Sequence, residues 1–155
     1  MGMDVLGKAP TSGTGEYFRR SVWGWHPLWT YCEETAPEMT EKVAYGHSND
    51  GDGLGAEDSI ELSRHLREEI ASGRTARYIR ERDERLASLP DELCVICGGT
   101  GQRLPPPEVG AGTLPCNGCG SLGKVRPFET HYGLAVEDVA EFADFLSDCG
   151  GFEIC

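Results

Sequence analysis

Four of the seven cysteines fall into two pairs, Cys94/Cys97 and Cys116/Cys119. Two residues separate the members of each pair, and 18 residues separate the pairs. Two thiolates spaced in this way on a tight turn can reach one ion. Two such turns supply four ligands in a tetrahedron, the arrangement that zinc takes in structural sites. Amides inside each turn point at the sulfurs and offset their negative charge. Glycines follow each pair, Gly98 and Gly99 in one and Gly120 in the other, and allow the backbone to turn with positive φ close to a metal. The sequence therefore assigns one Zn2+ per chain to Cys94, Cys97, Cys116 and Cys119. A redox dithiol is the competing chemistry. Such a pair usually lies where a strand enters a helix, which this glycine-rich context does not offer. Four thiolates also leave no open position for a water, so a structural metal is expected rather than a catalytic one.

The first turn, CVICGGTG at 94–101, has the C-x-x-C-x-G-x-G pattern at every fixed position, and CNGCGSLGK at 116–124 repeats it with Ser121 in place of a glycine. Residues 94–124 thus resemble a DnaJ-type zinc finger. That family has four such repeats and two ions; the two repeats here imply one ion and half of the module. The resemblance implies a zinc-held β-hairpin that contacts protein rather than DNA. The J-domain motif His-Pro-Asp is absent, since His26-Pro27 is followed by Leu28, so stimulation of a chaperone ATPase does not carry over.

The remaining residues point to no catalytic constellation. His26, His47, His65 and His131 are scattered, and there is no Ser-His-Asp set, phosphate loop or H-E-x-x-H pattern. A non-enzymatic protein is expected. NDGDG at 49–53 suggests calcium, but with Gly53 at the sixth position of a calcium loop Ser48 and Ser59 stand at its ends, so a turn is expected. Trp23, Trp25, Trp29, Phe18 and Tyr17 cluster within thirteen residues; they are read as core, with a stacking platform or partner hot spot as the alternative. Arginines concentrate between 64 and 85. Arg74, Arg77, Arg80 and Arg85 are a possible partner surface, and the helices 64–85 are the basis of an alternative reading as a nucleic-acid-binding zinc-finger protein. Acidic residues interleave with them, as on a solvated helix face laced with ion pairs. Cys32 and Cys149 are expected to be buried thiols, and Cys155 is unassigned.

The elements that must position the cysteines read as an α+β fold, a small helical core with a zinc-knuckle β-hairpin, in one domain over 1–155 with the zinc-binding insertion at 94–124. Residues 1–15 are expected to be irregular, 16–22 a helical turn, and a helix is expected to begin at Pro27. A Gly/Asp loop spans 45–56. Asp58 and Glu61 suggest a capping box for a helix carrying Leu62, Leu66 and Ile70, and a helix over 74–88 is expected to form a hairpin with it. Residues 103–112 read as an exposed loop, 124–132 as extended, 136–147 as a helix and FEIC at 152–155 as a strand.

With 26 acidic and 14 basic residues the net charge is −12. That field repels phosphate backbones, which ranks nucleic acid below protein as a partner. No charged stretch followed by an apolar run begins the chain, and no segment is long and apolar enough for a bilayer, so the cytoplasm is expected and a membrane is not. The opening MGMDVLGKAPTSGTGEYFRR, the segment VWGWHPLW and the ending FLSDCGGFEIC resemble a group of small proteins of phages and bacteria. That likeness supplies no activity; it implies a phage protein that binds a host factor.

Overall fold

The computed structural model describes residues 2–155. They form two compact units: one runs to Asp83 and resumes over Tyr132–Cys155, and the other is the continuous run Glu84–His131. Helices and small antiparallel sheets together make the fold α+β, as expected.

The first unit is built on a three-stranded antiparallel sheet. Strand β1, Gly2–Gly7, lies in the centre and pairs with β2, Tyr17–Ser21, from Gly2↔Ser21 to Leu6↔Tyr17. Its other edge pairs with the C-terminal strand Phe152–Ile154, from Val5↔Ile154 to Gly7↔Phe152. The terminal strand is where the sequence places it. The first two strands correct the reading of 1–15 as irregular and of 16–22 as a helical turn. Composition hid the alternation: Met3 and Val5 point into the core while Leu6 is exposed, and Phe18 is buried between exposed Tyr17 and Arg19.

Helix α1, Val22–Thr35, follows β2 directly, so Pro27 lies inside the helix rather than at its start. A proline there removes the amide that would bond the carbonyl four residues back. That carbonyl belongs to Trp23, and the Gly133 amide takes it at 3.2 Å. The helix continues because a partner from outside it satisfies the orphaned group. A short helix α2, Pro37–Thr40, comes next. Helix α3, Ala56–Ala71, starts after Gly55 without a side-chain cap, and the expected capping box does not form. Asp58 instead pairs with Lys42 at 2.7 Å.

Gly73, at φ 77°, separates α3 from α4, Arg74–Ser88, which has the bounds the sequence suggests. The expected α3–α4 hairpin is not the packing that forms: α3 lies along α5, Val136–Asp148. The apolar stripe of α3 explains this, since Leu62 and Leu66 are matched by Val139, Phe142, Ala143 and Leu146, all buried.

Trp25, Leu28, Trp29 and Cys32 recur at i, i+3, i+4 and i+7 along α1 and are fully buried. They meet Phe18, Phe142, Phe145 and Phe152 in one core cluster. The Trp25 and Trp29 rings stack with centroids 5.7 Å apart, and Phe142 approaches Trp25 edge-on at 5.5 Å. The core reading of the aromatic segment holds for these residues; Trp23 and Tyr17 are exposed.

The second unit has two-residue ladders only. Strand β3, Glu92–Leu93, pairs with β6, Lys124–Val125, and β4, Gln102–Arg103, pairs with β5, Leu114–Pro115. Residues 104–113 form the loop between β4 and β5, and a 3-10 turn, Phe128–His131, ends the unit. The last turn of α4 is closed by Arg126, whose guanidinium donates to the carbonyls of Leu86 and Leu89, both at 2.7 Å. A cation at this end also suits the helix dipole.

Phe142 touches several aromatic rings at the centre of the first unit. Phe142→Ala is expected to cost about 3–5 kcal/mol of stability, measured by urea denaturation followed at the helical circular-dichroism signal.

Candidate metal centre

The two cysteine turns are built alike and close on one another. In the first, the Gly99 amide donates to the Cys94 carbonyl and the Thr100 amide to that of Cys97; in the second, Ser121 donates to Cys116 and Leu122 to Cys119. Each turn then supplies the other. The Cys94 amide donates to the Gly123 carbonyl at 2.9 Å, and the Cys116 amide donates to the Gly101 carbonyl at 3.0 Å. The result is a pseudo-twofold pair in which residue i of the first turn matches residue i + 22 of the second.

This pairing explains the glycines more fully than turn geometry does. A Cβ on Gly101 would lie 2.4 Å from the Ser121 carbonyl oxygen, and one on Gly123 would lie 2.2 Å from that of Gly99. Both are also at positive φ, 77° and 73°. Ser121, which departs from the glycine pattern, still adopts φ 66°, the conformation of its counterpart Gly99 at 87°.

The four sulfurs are thereby brought together. All four cysteines are buried, and their Sγ atoms lie within 4.8 Å of one another. Cys94 and Cys116 are 3.8 Å apart, as are Cys97 and Cys119. A tetrahedron with metal–sulfur bonds of about 2.3 Å has edges of about 3.8 Å. The Gly101 amide donates to Cys97 Sγ at 3.3 Å, and its counterpart, the Gly123 amide, donates to Cys119 Sγ at 3.2 Å. Ile96 and Val125 pack against the cluster and shield it.

The thiols differ in acidity. Burial pushes Cys97 up, but the Gly101 and Gly99 amides and the neighbouring Cys94 and Cys119 thiols outweigh it and bring Cys97 down to about 6. At Cys116 burial prevails over the Gly118 amide and raises the thiol to about 11. Cys97 is therefore a ready thiolate, and a cation entering the site displaces the proton of Cys116. The four cysteines could hold a metal ion, and among the described residues they are the one such group.

The other cysteines are not part of it. Burial pushes Cys32 and Cys149 up, which keeps them as inert thiols inside the first unit, and Cys155 is exposed. Of the expected partner surface, Arg74 pairs with Glu69 at 2.7 Å and Arg85 with Glu129 at 3.4 Å, while Arg77 and Arg80 are exposed on α4. Arg67 pairs with Asp144 and Arg82 with Asp83. In the NDGDG loop, Asp52 accepts the amides of Tyr45 and Gly53, as in an ordinary turn. Two residues that sequence reasoning left apart are joined: His26 and His47 touch through their Nδ1 atoms. No spacing signals this, because the contact depends on how the loop after α2 returns to α1.

No family model matches the chain, and neither a curated protein nor a solved structure does. The likeness to the DnaJ-type finger therefore rests on the residues of the two turns. Among the described residues, no helix is long and apolar enough to cross a membrane.

Gly101→Ala is expected to prevent the two turns from closing and to abolish metal binding in a competition titration against a chromogenic chelator. Ser121→Gly relieves a left-handed serine and is expected to raise the stability of the metal-loaded protein by about 0.5–1 kcal/mol, measured by thermal denaturation.

Proposed function

We propose that Cys94, Cys97, Cys116 and Cys119 hold one zinc ion, that the ion is structural, and that the ordered second unit is a protein-binding module. The observation that carries the zinc reading is the sulfur spacing of 3.8 Å at two edges of the cluster, with an amide on a sulfur of each turn. Thiolate donors favour zinc over hard divalent ions such as magnesium and calcium. Four of them fill its tetrahedron and leave no position for a reacting water, so the protein is not an enzyme at this centre.

Two features support a protein as the partner. The second unit holds five acidic and four basic residues, so nearly all the net charge of −12 lies outside it. Its surface also exposes large apolar side chains: Val95 is 82% exposed, Leu122 80% and Leu93 65%. A shallow groove of about 250 Å³ runs beside Leu93, Val95, Ile96 and Val125. A neutral surface with exposed apolar groups suits a protein contact better than a phosphate backbone. The likeness of both chain ends to small phage and bacterial proteins makes a bacterial host protein the first partner to try.

Elemental mass spectrometry of the purified protein is expected to give one zinc per chain, and none in the Cys94/Cys97/Cys116/Cys119→Ser variant. Freely titratable thiols with no metal in the wild type would sink the zinc reading and bring dithiol redox chemistry forward. The partner reading has a separate test. Val95→Asp with Leu122→Asp is expected to keep the zinc and lose at least tenfold in affinity for a captured partner, roughly the effect of removing two apolar contacts. Unchanged capture by that variant removes this surface from the interface.

A further inference from the structure

Helix α1 and the loop after α2 are joined by a chain of three side chains. His47 Nε2 lies 3.0 Å from Glu33 Oε2, and His47 Nδ1 lies 2.9 Å from His26 Nδ1. The two imidazole centroids are 5.1 Å apart, close to the largest separation that this nitrogen contact allows. The nitrogens therefore point at each other. A shared metal ion would instead need both lone pairs to converge on a point beside the line joining them. The arrangement is an N–H···N hydrogen bond, in which one Nδ1 carries the proton. Glu33 accepts the Nε2–H of His47, so in the neutral pair His47 Nδ1 accepts and His26 Nδ1–H donates.

The loop that carries His47 covers the two core tryptophans. The Gly46 carbonyl takes the Trp25 indole N–H at 2.8 Å. Gly46 also lies against Trp29 so closely that a Cβ there would be 2.0 Å from the indole nitrogen. The residue next to His47 thus closes the core over α1. We propose that the Glu33–His47–His26 chain is a pH-operated latch, which holds this loop over Trp25 and Trp29 at neutral pH and releases it in acid.

The proton states follow from the geometry. One added proton leaves the bond intact, because one Nδ1 can still accept from the other. A second proton places an N–H on each Nδ1, and two donors and two positive charges then face each other across the contact. Burial, and then the charge of His47, hold His26 below its ordinary value near 6.5. The depressed value fixes the sign: the latch contributes fully above that ordinary value and is lost as pH falls through the lower one. Tyr132 also faces the pair, with its ring edge-on to His26 at 6.0 Å. Asp50 and Asp52 are engaged within the loop, by the Ser48 hydroxyl and by the amides of Tyr45 and Gly53.

Hydrogen–deuterium exchange of the segment 44–50, corrected for intrinsic exchange at each pH, tests the proposal. Protection in the wild type is expected to fall about tenfold between about pH 7.5 and about pH 5. The α5 amides serve as the internal control and are expected to stay protected. His26→Asn supplies an amide that can donate or accept but does not ionise, and is expected to keep the segment protected at both values. His47→Ala, at an exposed position, is expected to leave the segment unprotected at both, and it carries the test if the substitution at His26 disturbs the core. Equal wild-type protection at the two pH values, a His26→Asn variant that loses as much as the wild type, or a His47→Ala variant that stays fully protected overturns the latch.

Discussion

The interior of the second unit is sulfur. Its buried cluster consists of Cys94, Cys97, Cys116 and Cys119, with Ile96 and Val125 against them. The strands around it are two residues long, and such ladders cannot hold a fold by themselves. A run this short also buries too little apolar surface to offset its chain entropy. Everything else in Glu84–His131 depends on the four thiols standing at tetrahedral spacing. Four thiols that could hold a metal ion stand here where other folds place a hydrophobic core.

The cage is cooperative because neither turn is complete alone. The amide of the first cysteine in each turn is satisfied by a carbonyl of the other, and each closing glycine leaves room for the other turn's backbone. Half of the site has no stable form of its own. The first unit works in the opposite way. Its core is carried by apolar area, chiefly Trp25, Trp29, Phe142, Phe145 and Phe152, and a polar group that the helices leave over can be met by a single partner. The Trp23 carbonyl, orphaned by Pro27, is an example: it is met by one amide from Gly133.

What the sequence revealed follows the same division. The cysteine turns were legible because thiolate geometry fixes ligand type and spacing locally. Helices α4 and α5 and the terminal strand were legible from Gly73 and from periodic apolar residues. The first twenty-two residues were not. Glycine, threonine and serine around β1 masked a two-residue alternation, and the aromatic density of β2 and α1 pulled the helix start to Pro27. The α3–α5 packing was missed because the short connection from α3 to α4 suggested a hairpin, whereas burial of matching stripes decided the pairing. The His26–His47 contact had no local signal at all, since 21 positions separate the two rings.

One contact of the first unit has a meaning for the history of the chain. The Arg82 guanidinium donates to the Tyr132 carbonyl at 2.7 Å, and these residues flank the two ends of the continuous run Glu84–His131. The chain leaves and re-enters the first unit at points that are already tied together by that unit's own side chain. Closing such a gap with a short linker adds little entropy cost. The cysteine-bearing run is thus a cassette set between two clamped posts, and a change in its length need not pull apart the strands and helices of the first unit.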